Sequence, residues 1–272
     1  MITRFAPSPT GPLHLGHAFS AITAHDLAQA HGGRFLLRIE DLDGARSRPE
    51  WEAQIYDDLA WLGLTWEKPV LRQSENEDAY TQALNRLTAL GLTFACTCNR
   101  ADIRAALTAP QENYGPDGLI YPGTCRDKGR SADGAAIRLD ARKARAHLPE
   151  TLTWYEGEEE TRVAAAQLVD DVGDIVLWRK DTGRAAYHLA VVVDDAAQGV
   201  TDVVRGDDLR DATLIHVALQ TLLSLPTPRY HHHRLIRDDA GKRLAKRDDA
   251  RALSLYREQG ATPADIRARV GL

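Results

Sequence analysis

Arg4-Phe5-Ala6-Pro7-Ser8-Pro9-Thr10-Gly11-Pro12-Leu13-His14-Leu15-Gly16-His17 is the stretch whose reading decides the fold. The apolar run that leads into it, Ile2 to Phe5, reads as a first strand. A loop carrying three prolines and two glycines follows, and a long helical pattern begins near His17. A strand that turns through a tight loop into a helix forms an anion site. The first backbone N–H groups are unpaired there, and the helix dipole favours negative charge. Two histidines three residues apart, with Gly16 between them, suit close approach of a polyphosphate. An ordinary strand-to-helix connection with two surface histidines has the same short pattern, so H-x-G-H alone leaves both readings open.

Outward from this stretch the chain alternates. Phe19 to Ala30 reads as helix, ending at Gly32-Gly33, and Arg34 to Ile39 as a strand. Glu40-Asp41-Leu42-Asp43 puts three carboxylates just past that strand, where ligands sit in an open parallel sheet. Pro49 opens a helix through Leu62, Val70 to Gln73 reads as a strand, Tyr80 to Leu90 as a helix, and Leu92 to Ala95 as a strand. This β-α-β-α-β alternation predicts a parallel sheet with covering helices. The pattern breaks at Cys96. Residues 99–130, rich in proline and glycine, read as an inserted small element. Ala136 to Leu139 and Thr151 to Tyr155 carry strand signals around a basic segment, Arg142-Lys143-Ala144-Arg145, which reads as a solvated face or an RNA-facing patch. Asp174 to Trp178 and Thr201 to Val204 read as strands, and Leu189 to Asp194 is ambiguous between strand and helix. Leu214 to Leu223 reads as helix, Tyr230 to Ile236 as a strand, and Pro263 to Val270 as a last helix. His231-His232-His233 alternate across their strand, which makes them a poor metal site.

Length and composition narrow the class. The 272 residues suffice for one large or two small domains, and 43% hydrophobic with 27% charged residues excludes wholesale disorder. A net charge of −5 means that any RNA contact must come from local patches. No apolar run approaches the roughly 20 residues of a membrane helix, and no basic-then-apolar leader opens the chain. A cytoplasmic protein is expected. Three cysteines, in a reducing compartment, point to metal ligation or free thiols. Cys96-Thr97-Cys98 with Tyr121 and Cys125 could supply three thiolates and a phenolate oxygen to tetrahedral zinc.

Two further constellations carry chemistry. Lys242-Arg243-Leu244-Ala245-Lys246-Arg247 is a basic loop just after a strand. Alone it is a solvated charge run. Arg4 and Arg205 each follow strands, Glu40 follows another, and Tyr187 lies in Ala186-Tyr187-His188-Leu189-Ala190. Arginine gives planar, bidentate recognition of a carboxylate, although each of these residues alone is more often a surface ion pair or packed aromatic.

The segments R-F-A-P-S-P-T-G-x-L-H-x-G-H, I-E-D, A-Y-H-L-A-x-V-V-D-D and V-V-R-G-D-D-L resemble, in the same order, those of class I glutamyl-tRNA synthetases. His14-Leu15-Gly16-His17 resembles their HIGH element, and Arg243-Leu244-Ala245-Lys246-Arg247 resembles their KMSKS loop, with Arg243 for lysine and Ala245 for serine. The resemblance covers residues 2 to about 250. It implies an α/β fold: a Rossmann-like parallel-sheet class I catalytic domain with an inserted small zinc-binding subdomain and a short helical C-terminal stub. The expected boundaries are 1–95 for the first half of the catalytic domain and 96–134 for the zinc insertion. Residues 135–236 form the acceptor-type insertion and second half, and 237–272 the KMSKS-like loop and stub. It implies a glutamate site at Arg4, Phe5, Ala6, Pro7, Ser8, Glu40, Tyr187 and Arg205. It implies an ATP site at His14, Gly16, His17, Arg243 and Lys246, with Mg²⁺ accompanying ATP.

The cysteine pattern resembles the zinc element of the glutamyl-Q tRNA(Asp) synthetases, short relatives without the helical anticodon-binding domain. That resemblance implies structural zinc at Cys96, Cys98, Tyr121 and Cys125. It implies activation of L-glutamate by ATP without tRNA, then transfer to queuosine in the anticodon stem-loop of tRNA(Asp), by a monomer. His17 matches the full-length synthetases instead. A minimal enzyme charging the 3′ end of tRNA(Glu) and a non-catalytic RNA-binding paralogue are the alternatives.

Overall fold

The computed structural model describes residues 1–107, 114–236 and 251–272. The basic loop with Arg243 and Lys246 lies outside the described residues. The chain begins β1 (Ile2–Phe5), α1 (Leu15–Ala30), β2 (Arg34–Ile39), α2 (Pro49–Trp61), β3 (Leu71–Arg72), α3 (Glu77–Ala89) and β4 (Thr93–Cys96). It continues through α4 (Arg100–Ala105), β5 (Tyr114–Gly115), β6 (Gly118–Leu119), β7 (Ala136–Leu139), α5 (Ala141–Ala146), β8 (Thr151–Glu156) and β9 (Glu159–Ala164). Then come β10 (Val176–Trp178), α6 (Tyr187–Ala197), β11 (Asp202–Gly206), α7 (Thr213–Leu222), β12 (Arg229–His233), α8 (Leu253–Glu258) and α9 (Pro263–Val270). These form two compact units. The first holds Met1–Glu75, Gly199–Asp208 and Pro228–Leu272; the second holds Asn76–Gln198 and Leu209–Thr227.

The first unit is the parallel-sheet part. β1 pairs parallel with β2, β2 with β3, and β11 with β12. The Thr201 N–H just before β11 donates to Ile2 O at 3.0 Å, which sets β11 beside β1. Phe35 to Ile39 of β2 are all buried, as expected where both faces of a parallel sheet are covered. Ala18, Ala21, Ala24 and Ala28 give α1 a small-residue face, and the Thr3 hydroxyl donates to Ala24 O at 2.7 Å. Leu13, Ile22, Leu37, Ile39, Ile55, Leu59, Leu253 and Ile266 complete one apolar core. α9 opens with a Thr262–Asp265 capping box, and its Arg267 forks onto Asp26 of α1 at 2.6 and 3.0 Å.

The second unit is built differently. β4 and β10 flank β7, both antiparallel to it. The alternation in sequence predicts β4 in the parallel sheet. Instead α3 packs on α6, where Tyr80 Oη and Asn76 Nδ2 donate to the buried Asp194 carboxylate at 2.9 and 2.8 Å. β4, which follows α3 directly, pairs with β7 inside this unit. The ambiguous Val191-Val192-Val193 run is helical, because α6 is buried on all sides from His188 to Asp195 and burial overrides β-branched preference.

One buried charge sets a pH dependence. Asp58 of α2 is 1% exposed, and its Oδ2 has no hydrogen-bond partner. Burial pushes its carboxyl up to about 6, against the pull of Arg257. With the folded pKa above the unfolded one, stability falls as pH rises from about 4 to 6 and stays lower above that. Asp58→Asn should therefore stabilise the protein at pH 8 by about 2 kcal/mol and change little at pH 4, read by thermal melts at the two pH values. An equal effect at both would contradict a charged, desolvated Asp58.

Candidate active site and thiol cluster

The β1–α1 turn is capped by its own histidines. His14 is the N-cap of α1; its Nδ1 accepts the Gly16 N–H at 3.1 Å, and His17 Nδ1 accepts the His14 N–H at 3.1 Å. The rings lie 3.8 Å apart. With both Nδ1 atoms accepting, each neutral ring carries its proton on Nε2, a donor. Gly16 leaves room for this ring: a Cβ there would press on His14 Cε1 at 3.0 Å and Nδ1 at 3.1 Å.

The loop before this cap is held to the ends of neighbouring elements. Pro7 O accepts the Glu40 N–H at 3.0 Å, and Pro9 O accepts the Arg48 N–H at 3.0 Å. Between these segments lies a cavity of about 400 Å³ lined by Phe5, Ala6, Pro7, Ser8, Thr10, His17, Glu40, Asp43 and Arg46. It lies past the carboxyl ends of β1 and β2, the ligand crevice of a parallel sheet. Six of the expected residues meet there: Phe5, Ala6, Pro7, Ser8, His17 and Glu40. Asp43 joins them, and so do Thr10 and Arg46, for which the sequence offers no site signal. Asp43 and Glu40 belong to the acidic cluster seen in the sequence. Asp41, the third carboxylate, accepts instead from Ser74 N and Oγ at 2.8 and 2.6 Å.

Glu40 is oriented from below. Arg38 Nη2 donates to Glu40 Oε1 at 3.2 Å from a fully buried guanidinium. Sequence pattern hides Arg38, because arginine inside an apolar strand carries no motif. Arg4 and Arg205 are each 5% exposed and do not line the cavity. Arg4 Nη1 donates to Val204 O at 3.3 Å. Arg205 Nε donates to His232 Nε2 at 3.0 Å, and its guanidinium lies 5.0 Å from the Tyr230 ring centroid. His232 thus orients Arg205, while His231 pairs with Asp202 at 2.8 Å and His233 with Ser20. The three histidines serve three separate bonds. Tyr187 stands in the second unit, in the first turn of α6, 37% exposed. Its ring meets those of His188 and His216, which hydrogen-bond each other at 3.0 Å.

The cysteines gather in the second unit. Cys96, Cys98 and Cys125 bring their sulfurs within 4.8 Å of one another. Cys98 Sγ lies 3.5 Å from Cys125 Sγ, and Tyr121 Oη lies 3.3 Å from Cys96 Sγ and 3.7 Å from Cys98 Sγ. The Cys125 N–H donates to Tyr121 Oη at 2.9 Å, so that oxygen is an acceptor. Burial pushes the Cys125 thiol up, but hydrogen bonds from Tyr121, the Thr97 backbone and the other two thiols outweigh it and bring it down to about 6. Burial raises Cys98 and Tyr121. Ligands about 2.3 Å from a tetrahedral ion stand about 3.8 Å apart, so this donor set has the spacing of a zinc site. Lys180 Nζ steadies the turn by donating to Thr97 O at 2.9 Å and Cys98 O at 3.1 Å.

The cap predicts a measurable stability term. His14→Ala removes an N-cap acceptor and should cost about 1 kcal/mol in urea unfolding. An unchanged midpoint would contradict the capping role.

Residues 1–272 match the family model described as tRNA synthetases class I (E and Q), catalytic domain. The chain is 60% identical over 285 aligned positions to a Glutamyl-Q tRNA(Asp) synthetase of Rhodobacter capsulatus, covering 100% of both chains. It is 45% identical to a protein of that name from Nocardia farcinica, covering 97% of this chain and 82% of the relative. Its fold matches a glutamate tRNA ligase from Elizabethkingia meningosepticum, solved in complex with its amino acid, with TM-score 0.78 and 24% identity. That match covers 99% of this chain and spans 60% of the length of the other. The parallel sheet, the histidine-capped turn and the end-to-end alignments agree: the chain belongs to the class I glutamyl- and glutaminyl-tRNA synthetase family, within its glutamyl-Q tRNA(Asp) synthetases.

Proposed function

We propose that this protein activates L-glutamate with ATP and transfers it to queuosine in the anticodon loop of tRNA(Asp). The observation that carries this reading is the cavity between the histidine-capped turn and Glu40, in a chain that aligns end to end with a glutamyl-Q tRNA(Asp) synthetase.

Each part of glutamate has a chemical counterpart. Glu40, held by Arg38, takes the α-ammonium. Arg4 and Arg205 take the side-chain carboxylate, helped by the Tyr187 hydroxyl, and Phe5, Ala6, Pro7 and Ser8 form the wall. An uncharged amide offers these two guanidinium groups no negative charge and only one acceptor, which selects glutamate over glutamine. His14, Gly16 and His17 meet the ATP phosphates through Nε2–H donors and the α1 amino-terminus. Arg243 and Lys246 supply fixed positive charge from the basic loop. Mg²⁺ accompanies ATP and offsets phosphate charge.

The chemistry needs no enzyme nucleophile. An α-carboxylate oxygen of glutamate attacks the α-phosphorus of ATP, the bond to the bridging oxygen breaks, and pyrophosphate leaves. Donors and cations fixed around the phosphoryl oxygens lower the barrier. A hydroxyl of the queuosine ring then attacks the adenylate carbonyl and AMP leaves. Cys96, Cys98 and Cys125, with the Tyr121 oxygen, would hold a structural zinc, all four ligands coming from protein. The enzyme acts as a monomer on tRNA in the cytoplasm; no described helix is long and apolar enough to cross a membrane.

Three measurements check this. Purified protein should charge queuosine-containing tRNA(Asp) and leave unmodified tRNA(Asp) and tRNA(Glu) uncharged; equal charging of either control would overturn the acceptor assignment. Arg205→Ala should lower glutamate-dependent ATP–pyrophosphate exchange by 100-fold or more, and undiminished exchange would remove Arg205 from the pocket. Metal analysis should find one zinc per chain, lost together with several degrees of melting temperature in Cys125→Ser. Zinc-free wild-type protein with the same melting temperature would contradict the structural site.

A further inference from the structure

A second cavity, of about 560 Å³, is lined by residues of the second unit alone, none of them assigned to glutamate, ATP or zinc. Trp154 of β8 and Leu214 of α7 make its apolar floor, and Tyr114, Asp171, Arg210 and Asp211 stand around it. Trp154 is 8% exposed and Tyr114 60%, so one aromatic face is sheltered and the other stands at the lip. Arg210 Nη1 pairs with Glu156 Oε1 at 3.4 Å, which orients its planar guanidinium.

The backbone around this cavity is built for close approach. Leu168–Val172 forms a turn of π-helix, a rare conformation found often at functional sites. The β5–β6 hairpin closes onto that turn at Gly115, where a Cβ would meet Asp171 O at 2.2 Å. No side chain other than hydrogen fits at Gly115. The hairpin therefore delivers Tyr114 to the same rim that carries Asp171.

The lining selects a ligand by chemistry. Aromatic rings and a planar guanidinium offer stacking faces to a flat group. Two carboxylates repel a phosphate and can accept both N–H bonds of an exocyclic amino group, whereas uracil offers a single imino N–H. A cavity of this volume is within the range that encloses a small flat ligand. The chain carries a net charge of −5, so RNA held by phosphate contacts alone would bind weakly, and base contacts must contribute. Single-stranded RNA is recognised by splaying bases onto aromatic side chains and reading their edges.

We propose that this cavity receives one unstacked, amino-bearing nucleobase (cytosine, adenine or guanine, rather than uracil) from the loop of the RNA substrate. The base lies between Trp154 and Tyr114, with its amino group toward Asp171 and Asp211. This inference rests on the RNA-acceptor reading above, and it adds a base-reading site whose lining shares no residue with the proposed adenylate site.

The test is filter binding of queuosine-containing tRNA(Asp) and tRNA(Glu) to the full-length protein. Tyr114→Ala should weaken binding of the charged tRNA fivefold or more, while Tyr114→Phe stays within twofold and glutamate-dependent pyrophosphate exchange is unchanged. Asp171→Asn should weaken it as well. RNAs carrying a single abasic position through the loop should identify one amino-bearing base whose removal is not additive with Tyr114→Ala. Binding within twofold of wild type for Tyr114→Ala, additivity at every loop position, or no wild-type binding to either tRNA would overturn the inference. Failure of the acceptor assignment looks different: tRNA(Glu) is then the RNA charged, and the Tyr114→Ala loss appears on that RNA.

Discussion

Two imidazole nitrogens hold the start of α1, and the first unit is arranged around that cap. A helix start leaves backbone donors unsatisfied, and serine or aspartate is the usual remedy. Here His14 Nδ1 and His17 Nδ1 accept those N–H groups and leave both rings protonated on Nε2. Structural satisfaction and a supply of donors thus come from the same two side chains. The loop that carries the cap is fixed from three directions. Pro7 O binds the residue after β2, Pro9 O binds the residue before α2, and Leu13 O accepts the Leu253 N–H at 2.8 Å at the start of α8. Displacing the cap would disturb all three.

Charge placement around the cavity follows the same economy. Arg38 is fully buried and would be costly without Glu40 above it. The pair presents a carboxylate in a fixed direction, as an ammonium partner requires. Arg205 is oriented by the His232 imidazole and by the Tyr230 face. The thiol cluster of the second unit uses the opposite strategy. It concentrates soft donors with one phenolic oxygen, an arrangement that a divalent ion satisfies better than protons do.

Much of this was legible in the sequence, for identifiable reasons. The turn from Phe5 to His17 combines glycine, proline and histidine in a pattern that few structures use, so strand, loop and helix start were all readable. The cysteine spacing announced its cluster. β4 was misleading because a short apolar run does not encode the direction of its partner; the buried Tyr80–Asn76–Asp194 contact decided that, across more than 110 residues. β9 was overlooked because Glu159-Glu160-Thr161-Arg162 reads as a polar turn, although it pairs along its length with β8. Arg38, His232 and the separation of Asp41 from Glu40 depend on three-dimensional neighbours that no local spacing specifies.

If the histidine cap serves catalysis as well as folding, His17→Ala should impair glutamate-dependent ATP–pyrophosphate exchange in the absence of tRNA, at a temperature where variant and wild type are both folded. Robust wild-type exchange is expected, with a loss of about 100-fold in the variant, the usual effect of removing one donor from a developing negative charge. Exchange at the wild-type rate in folded His17→Ala would contradict that role.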